Sequence, residues 1–207
     1  MTNPEYTHIA LVVDRSGSMT TIKKDMEGGL QTFLKEQAEL PGKCLVDLTI
    51  FDTVIEEVYT GRPVKSATVA IEPRGGTALL DAIGKAVVSL GERLAKMSED
   101  DRPENIIVAI ITDGEENSSR EWTSVTIKDL VEQQQTEWSW KFVFLGANMD
   151  AFSVGHGMGM AKGMSSTYAA NAAGVRAGAQ SLGTYTTAVR SGQKDAKLVE
   201  EDEETSA

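Results

Sequence analysis

The sequence predicts an α/β domain with a doubly wound, Rossmann-like, mostly parallel sheet, helices on both faces and one antiparallel edge strand. Three observations carry this. Apolar runs of strand length alternate with segments of helical period. Two strand-like runs, CLVDLTIFD (44–52) and VIEEVYTG (54–61), have one residue between them, which permits only an antiparallel hairpin. The most apolar run, NIIVAIITDG (105–114), has the unbroken hydrophobicity of a central parallel strand.

Taken in order, HIALVVD (8–14) reads as a fully buried strand. From Thr20 to about Glu39, Ile22, Met26, Leu30, Phe33, Leu34 and Ala38 recur at helical spacing. Gly28 and Gly29 interrupt that helix at a cost of about 1 kcal/mol each relative to alanine, so close packing against the sheet is expected there. After the hairpin, GGTALLDAIGKAVVSLGERLAKM places Leu79, Leu80, Ile83, Val87, Leu90 and Leu94 on one helical face, with Thr77 as its natural N-cap. The strand at 105–112 leads to a helix near 124–137, marked by Ile127, Leu130, Val131 and Gln134. WKFVFLGAN (140–148) is a further buried strand. Beyond it, SVGHGMGMAKGMSS reads as a mobile connection, and Ala172 to Arg190 as a C-terminal helix packed on the sheet. The expected organisation is an α/β domain over 1–160, a linker and helix over 161–192, and an acidic, disordered tail over 193–207.

At 207 residues, 41% hydrophobic and 25% charged, the chain has the profile of one globular domain. No apolar window reaches the length that spans a bilayer, and the first ten residues lack the basic-then-apolar pattern of a signal peptide. A single cysteine, Cys44, agrees with a reducing, cytoplasmic setting, and its strand-like surroundings predict a buried, inert thiol. The net charge is −11, of which Glu200 to Glu204 supply five negative charges. That balance argues against nucleic-acid binding and suits metal ions or basic partners.

In an open α/β sheet, ligands bind beyond the carboxyl ends of the strands. Three loops fall there: DRSGS with Asp14, Ser16 and Ser18; PRGGTALLD with Thr77; and ITDGEEN with Asp113. Carboxylates and hydroxyls are hard oxygen ligands, the set that Mg²⁺ takes in an octahedron at about 2.1 Å. Neither His8 nor His156 falls in these loops, so softer metals are poorly served. Gly17 is expected to let the chain curl so that both serines face inward. The competing explanation for DRSGS alone is a helix cap supplied by Asp14 or Ser18. Glu115 and Glu116 read by default as solvated loop acids, and Arg15 and Arg74 as surface arginines. In a functional reading Glu115 and Glu116 tune the metal or repel wrong partners, and either arginine meets an acidic ligand.

DRSGS, the GGT threonine and TDG together resemble the metal-ion-dependent adhesion site (MIDAS) of von Willebrand factor type A (vWA) domains. The likeness runs over about residues 5–160, and the whole chain resembles short stand-alone vWA proteins of bacteria and phages. The resemblance implies that Ser16, Ser18 and Thr77 touch Mg²⁺ (or Mn²⁺) through hydroxyls while Asp14 and Asp113 act mostly through water. The remaining position would go to water or to an acidic side chain of a partner protein. By the same analogy the partner is an ATPase assembly or a phage or host protein complex.

The other class considered is a Mg²⁺-dependent phosphoryl-transfer or hydrolytic enzyme, and a structural assembly component using the metal for stability alone is a third. An aspartyl-nucleophile phosphatase would carry a second carboxylate two residues after Asp14, where this chain has Ser16. No G-x-x-x-x-G-K-[ST] or G-x-S-x-G occurs, and GHGMGMAKG follows no apolar strand. The expectation is a binding module without catalytic residues.

Overall fold

The computed structural model describes residues 2–193 and 195–198. Its centre is a six-stranded sheet, β1 (Asn3–Asp14), β2 (Lys43–Phe51), β3 (Ile55–Pro63), β4 (Pro103–Thr112), β5 (Lys141–Ala147) and β6 (Ser165–Tyr168). The strand order is β3-β2-β1-β4-β5-β6, with only the β2–β3 pair antiparallel. The helices are α1 (Lys23–Glu39), α2 (Leu79–Ala95), α3 (Ser124–Trp138), α4 (Ala151–Gly157) and α5 (Ala172–Arg190).

Because successive side chains of a strand point to opposite faces, β1 feeds two cores at once. Ile9, Leu11 and Val13 join the layer under α1 and α5, with Leu30, Phe33, Leu34 and Leu182. Ala10 and Val12 join the layer under α2 and α3, with Leu79, Ile83, Val87, Ile127 and Val131. The central run Ile106 to Ile111 of β4 is buried on both sides, which explains its unbroken apolar character. Cys44 is buried as expected, and burial pushes its thiol up to about 11.

Several local expectations are corrected. Residues 149–168 are not a structureless connection. Asp150 caps α4 by accepting the Ser153 N–H at 3.0 Å, and β6 then pairs in parallel with β5 from Phe144–Ser165 to Ala147–Tyr168. Four residues at a sheet edge, of which only Tyr168 is buried, carry too weak a pattern to announce a strand. Gly29 does sit against α5, where an added Cβ would lie 3.2 Å from Ala179 Cβ, but Gly28 has nothing within 4 Å and no packing reason to be glycine. Of the stretch read as acidic tail, Ala196 and Leu198 are buried in the core beneath α5. The acidic run Glu200 to Glu204 lies outside the described residues.

Candidate metal centre

The three loops meet at the carboxyl end of β1 and β4, and backbone bonds hold them together. Arg15 N–H donates to Phe51 O at 2.7 Å, Arg74 N–H to Arg15 O at 2.8 Å, Gly17 N–H to Gly75 O at 3.2 Å, and Ala78 N–H to Asp52 O at 2.9 Å. Gly75 is left-handed, with φ +66°, which makes glycine the natural residue at that crossing. Gly17, by contrast, has no positive φ, and a Cβ there would meet only Gly75 O at 3.5 Å. The serines are aligned by the tight helical turn Gly17–Thr21 rather than by glycine's freedom.

Within this frame the oxygens converge. Ser16 Oγ lies 3.0 Å from Ser18 Oγ, and Ser18 Oγ donates to Asp113 Oδ1 at 2.7 Å. Asp14 accepts the Ser16 N–H and the Thr112 hydroxyl, each at 2.5 Å. A methyl group placed on Gly114 would meet Thr77 Oγ1 at 2.8 Å, Ser16 Oγ at 3.5 Å and Asp14 Oδ2 at 3.6 Å, so these three oxygens ring one point. Asp14, Ser16 and Thr77 are buried and Ser18 is exposed, which leaves the cluster open on one side. Neither Asp14 nor Ser18 caps a helix through its side chain: the first turn's N-cap is Ser16, with no side-chain cap bond.

Thr77 does not cap α2 either. The helix starts at Leu79, two residues later, because the loop after β4 supplies the caps. Glu116 accepts the Leu80 N–H at 2.9 Å and Ser119 Oγ the Asp81 N–H at 3.0 Å. Asn117 Oδ1 accepts the Thr77 N–H at 2.9 Å, and Thr77 O accepts the N–H groups of Asn117 and Ser118. Thr77 is thus positioned by its backbone while its hydroxyl points at the cluster. Glu116 is no solvated acid: burial alone would raise its carboxyl, but the N–H groups of Ser119, Leu80 and Ser118 hold it below the ordinary value. Glu115 is exposed.

The two arginines of these loops turn away from the oxygens. Arg15 is buried and pairs with Asp52 and Glu56, each at 2.9 Å. Arg74 also pairs with Asp52, at 2.8 Å, though most of its side chain is exposed. Burial would raise the Asp52 carboxyl, yet these guanidinium contacts and the Val54 N–H keep it below its usual value.

The donor set fits a hard divalent cation. Burial pushes Asp14 up to about 6 despite hydrogen bonds from Thr112 and Ser16, and the charge of Asp113 adds to the rise. Burial likewise raises Asp113, against a bond from Ser18. Neither acid forms an ion pair among the described residues. Two neighbouring carboxylates, three hydroxyls and no counter-charge match the oxygen preference of Mg²⁺ and Mn²⁺. Among the described residues no group of three or more His, Cys, Asp or Glu side chains is assembled that could hold a metal ion, so any ion here would depend on the hydroxyls as well as the two carboxylates. Thr112 belongs to this site and was missed as a participant; its place before Asp113 in TDG was the available signal.

No protein-family model matches the chain, and no curated protein matches it in sequence. Solved structures do match. Proximal thread matrix protein 1 of the mussel byssus superposes with a TM-score of 0.61 at 14% identity, over 87% of this chain and 46% of that one. A von Willebrand factor type A protein from Catenulispora acidiphila matches with 0.56 at 12% identity, over 87% and 42%. Manganese-loaded TRAP protein of Plasmodium vivax matches with 0.53 at 14% identity, over 83% and 71%. The mussel protein has also been solved with zinc occupying its MIDAS motif. The chain therefore spans less than half the length of the first two proteins. Sheet order, the two helical layers and these superpositions define the class: this is a von Willebrand factor type A fold.

Proposed function

We propose that this chain is a metal-dependent protein-binding module rather than an enzyme. Asp14, Ser16, Ser18, Thr77 and Asp113 hold one Mg²⁺, with Mn²⁺ as the alternative, and the open side receives an acidic side chain from a partner protein. The observation that carries this is the ring of Thr77, Ser16 and Asp14 oxygens around one point beside Gly114. The zinc and manganese in two structural neighbours are in keeping with it.

The chemistry follows from the ligand types. Hydroxyls bring no charge, so a cation held largely by Ser16, Ser18 and Thr77 stays electrophilic and favours an anionic oxygen. When bound, the metal supplies that attraction; the chain's own residues set where it acts. Asp14 is oriented by Thr112 and the Ser16 N–H, Asp113 orients Ser18, and Thr77 is fixed by Asn117. One metal contact rarely gives strong affinity, so the surrounding loops provide specificity. For phosphoryl transfer, an aspartyl-nucleophile phosphatase would carry a second carboxylate two residues after Asp14, where this chain has Ser16.

The test is calorimetric titration of Mg²⁺ into wild type and Ser16→Ala/Ser18→Ala, together with a pull-down in Mg²⁺ and in EDTA. Saturable binding and a protein captured only by wild type in Mg²⁺ are expected. Equal Mg²⁺ uptake by both proteins would refute the site, and sustained turnover of a phosphate ester lost in Asp14→Ala would refute the binding role.

A further inference from the structure

A polar depression of about 270 Å³ lies beside the oxygen cluster, lined by Thr53, Asn117, Ser118, Ser119 and Arg120. It shares a wall with the proposed metal site. Asn117 and Ser118 donate their N–H groups to Thr77 O at 3.0 and 3.2 Å, while Asn117 Oδ1 takes the Thr77 N–H. A Cβ added to Gly76, next to Thr77, would run into Ser118 Oγ and Asn117 Oδ1, so two of the lining residues pack directly against the segment that carries Thr77.

Arg120 is the basic residue among those that line this depression, and it differs from the other two loop arginines. Arg15 and Arg74 are tied to Asp52. Arg120 is exposed, and its guanidinium forms no ion pair among the described residues. Its backbone is nevertheless fixed: the Asp81 carboxylate accepts the N–H groups of Arg120, Glu121 and Trp122 at 2.8, 3.0 and 2.8 Å. The other four lining residues are uncharged, and the nearby Glu116 carboxylate is taken up by the N–H groups of Leu80, Ser118 and Ser119 and by the Ser119 hydroxyl. A guanidinium without an ion pair, on a backbone held in place, is suited to bidentate capture of a carboxylate.

We propose that Arg120 is the second anchor for the partner, and that the partner is a peptide segment with two acidic residues close in sequence. One carboxylate faces the metal and the other enters the depression against Arg120. This assignment rests on the metal-dependent reading above, and it moves the acid-binding arginine from Arg15 or Arg74 to Arg120.

The probes are fluorescently labelled synthetic peptides in a glycine-serine background. They carry either a single glutamate or two glutamates separated by one to four residues, and binding is followed by anisotropy in Mg²⁺ and in EDTA. At the matching spacing, the two-acid peptide should bind wild type about tenfold more tightly in Mg²⁺ than the single-acid peptide, the gain of one charge-assisted contact. Arg120→Ala should remove that gain and leave single-acid binding unchanged, Arg120→Lys should restore part of it, and Arg120→Glu should turn it into a penalty. A two-acid advantage that survives in Arg120→Ala, or no advantage at any spacing, would overturn the Arg120 assignment while Mg²⁺-dependent binding stands. Peptides that bind equally well in EDTA, or none that bind, would overturn the metal-dependent reading and Arg120 with it.

Discussion

Glu116 belongs to the loop after β4, yet its carboxylate caps α2, accepting the Leu80 N–H at 2.9 Å. Its other oxygen takes the N–H groups of Ser118 and Ser119, both at 2.8 Å. One side chain therefore ties the loop that carries Asp113 to the helix that follows Thr77, and the relative placement of those two oxygens depends on it.

Glu116→Ala should lower stability by about 1–2 kcal/mol, the size of a lost helix cap. The Glu116 carboxyl titrates below its ordinary value of 4.5 in the fold, so its contribution is complete above that value. It is lost as pH falls through the lower folded value. Urea melts of wild type and mutant should differ at pH 7 and draw together in strong acid. A constant difference across that range would argue against the carboxylate as the cause.

Near the other end of α2, Asp47 of β2 is buried with three polar partners. His8 Nε2 stands 3.0 Å from it, Gly61 donates its N–H at 2.6 Å, and Arg93 forms an ion pair. Burial would raise the Asp47 carboxyl, but His8, Gly61 and Arg93 hold it below its usual value. Asp47→Leu strands those partners and should cost about 3 kcal/mol near neutral pH, read from chemical denaturation. The stabilisation is present above the unfolded carboxyl value and disappears as pH falls through the folded one, so the mutant's deficit should narrow below about pH 4.

Gly28 and Gly29 should respond in opposite directions. Gly28→Ala gains helix propensity in open space and should stabilise the protein by about 0.5–1 kcal/mol. Gly29→Leu pushes against Ala179 and Val175 and should cost about 1–3 kcal/mol as α1 and α5 are forced apart. Paired thermal melts check this, with each kcal/mol worth about 2–4 °C in a chain of this size.

Gly114→Ala would put a methyl group 2.8 Å from Thr77 Oγ1. In EDTA its melting temperature should stay within a few degrees of wild type, since Gly114 is only partly buried and outside the core clusters. The Mg²⁺-dependent rise expected of wild type should be absent. A full Mg²⁺ response in this variant would mean that the ion sits elsewhere.

Much of the architecture was legible because side-chain period reports local structure directly. Ile9 to Val13 and Ile106 to Ile111 are apolar without a break, which only a strand covered on both faces tolerates. The hairpin followed from the shortness of the link between β2 and β3. What stayed hidden was local structure with a weak pattern, α4 and β6, and polar contacts between residues distant in sequence. Arg15 reads as a free loop cation until Asp52 and Glu56 are seen beside it. Glu116 reads as a solvated acid until α2 begins within its reach.

By itself the sequence determined the α/β class and singled out five oxygen-bearing side chains as candidates, since each of these lies at the end of a strand or just before a helix whose period is plain. Only the tertiary structure decided how they are held: Thr77 by Asn117, α2 by Glu116, Asp14 by Thr112, and Arg15 by Asp52 rather than by a ligand. The reason is physical. Periodicity is a property of neighbours along the chain, whereas a hydrogen bond across 36 or 37 positions exists only once strand order and loop crossings bring its two ends together.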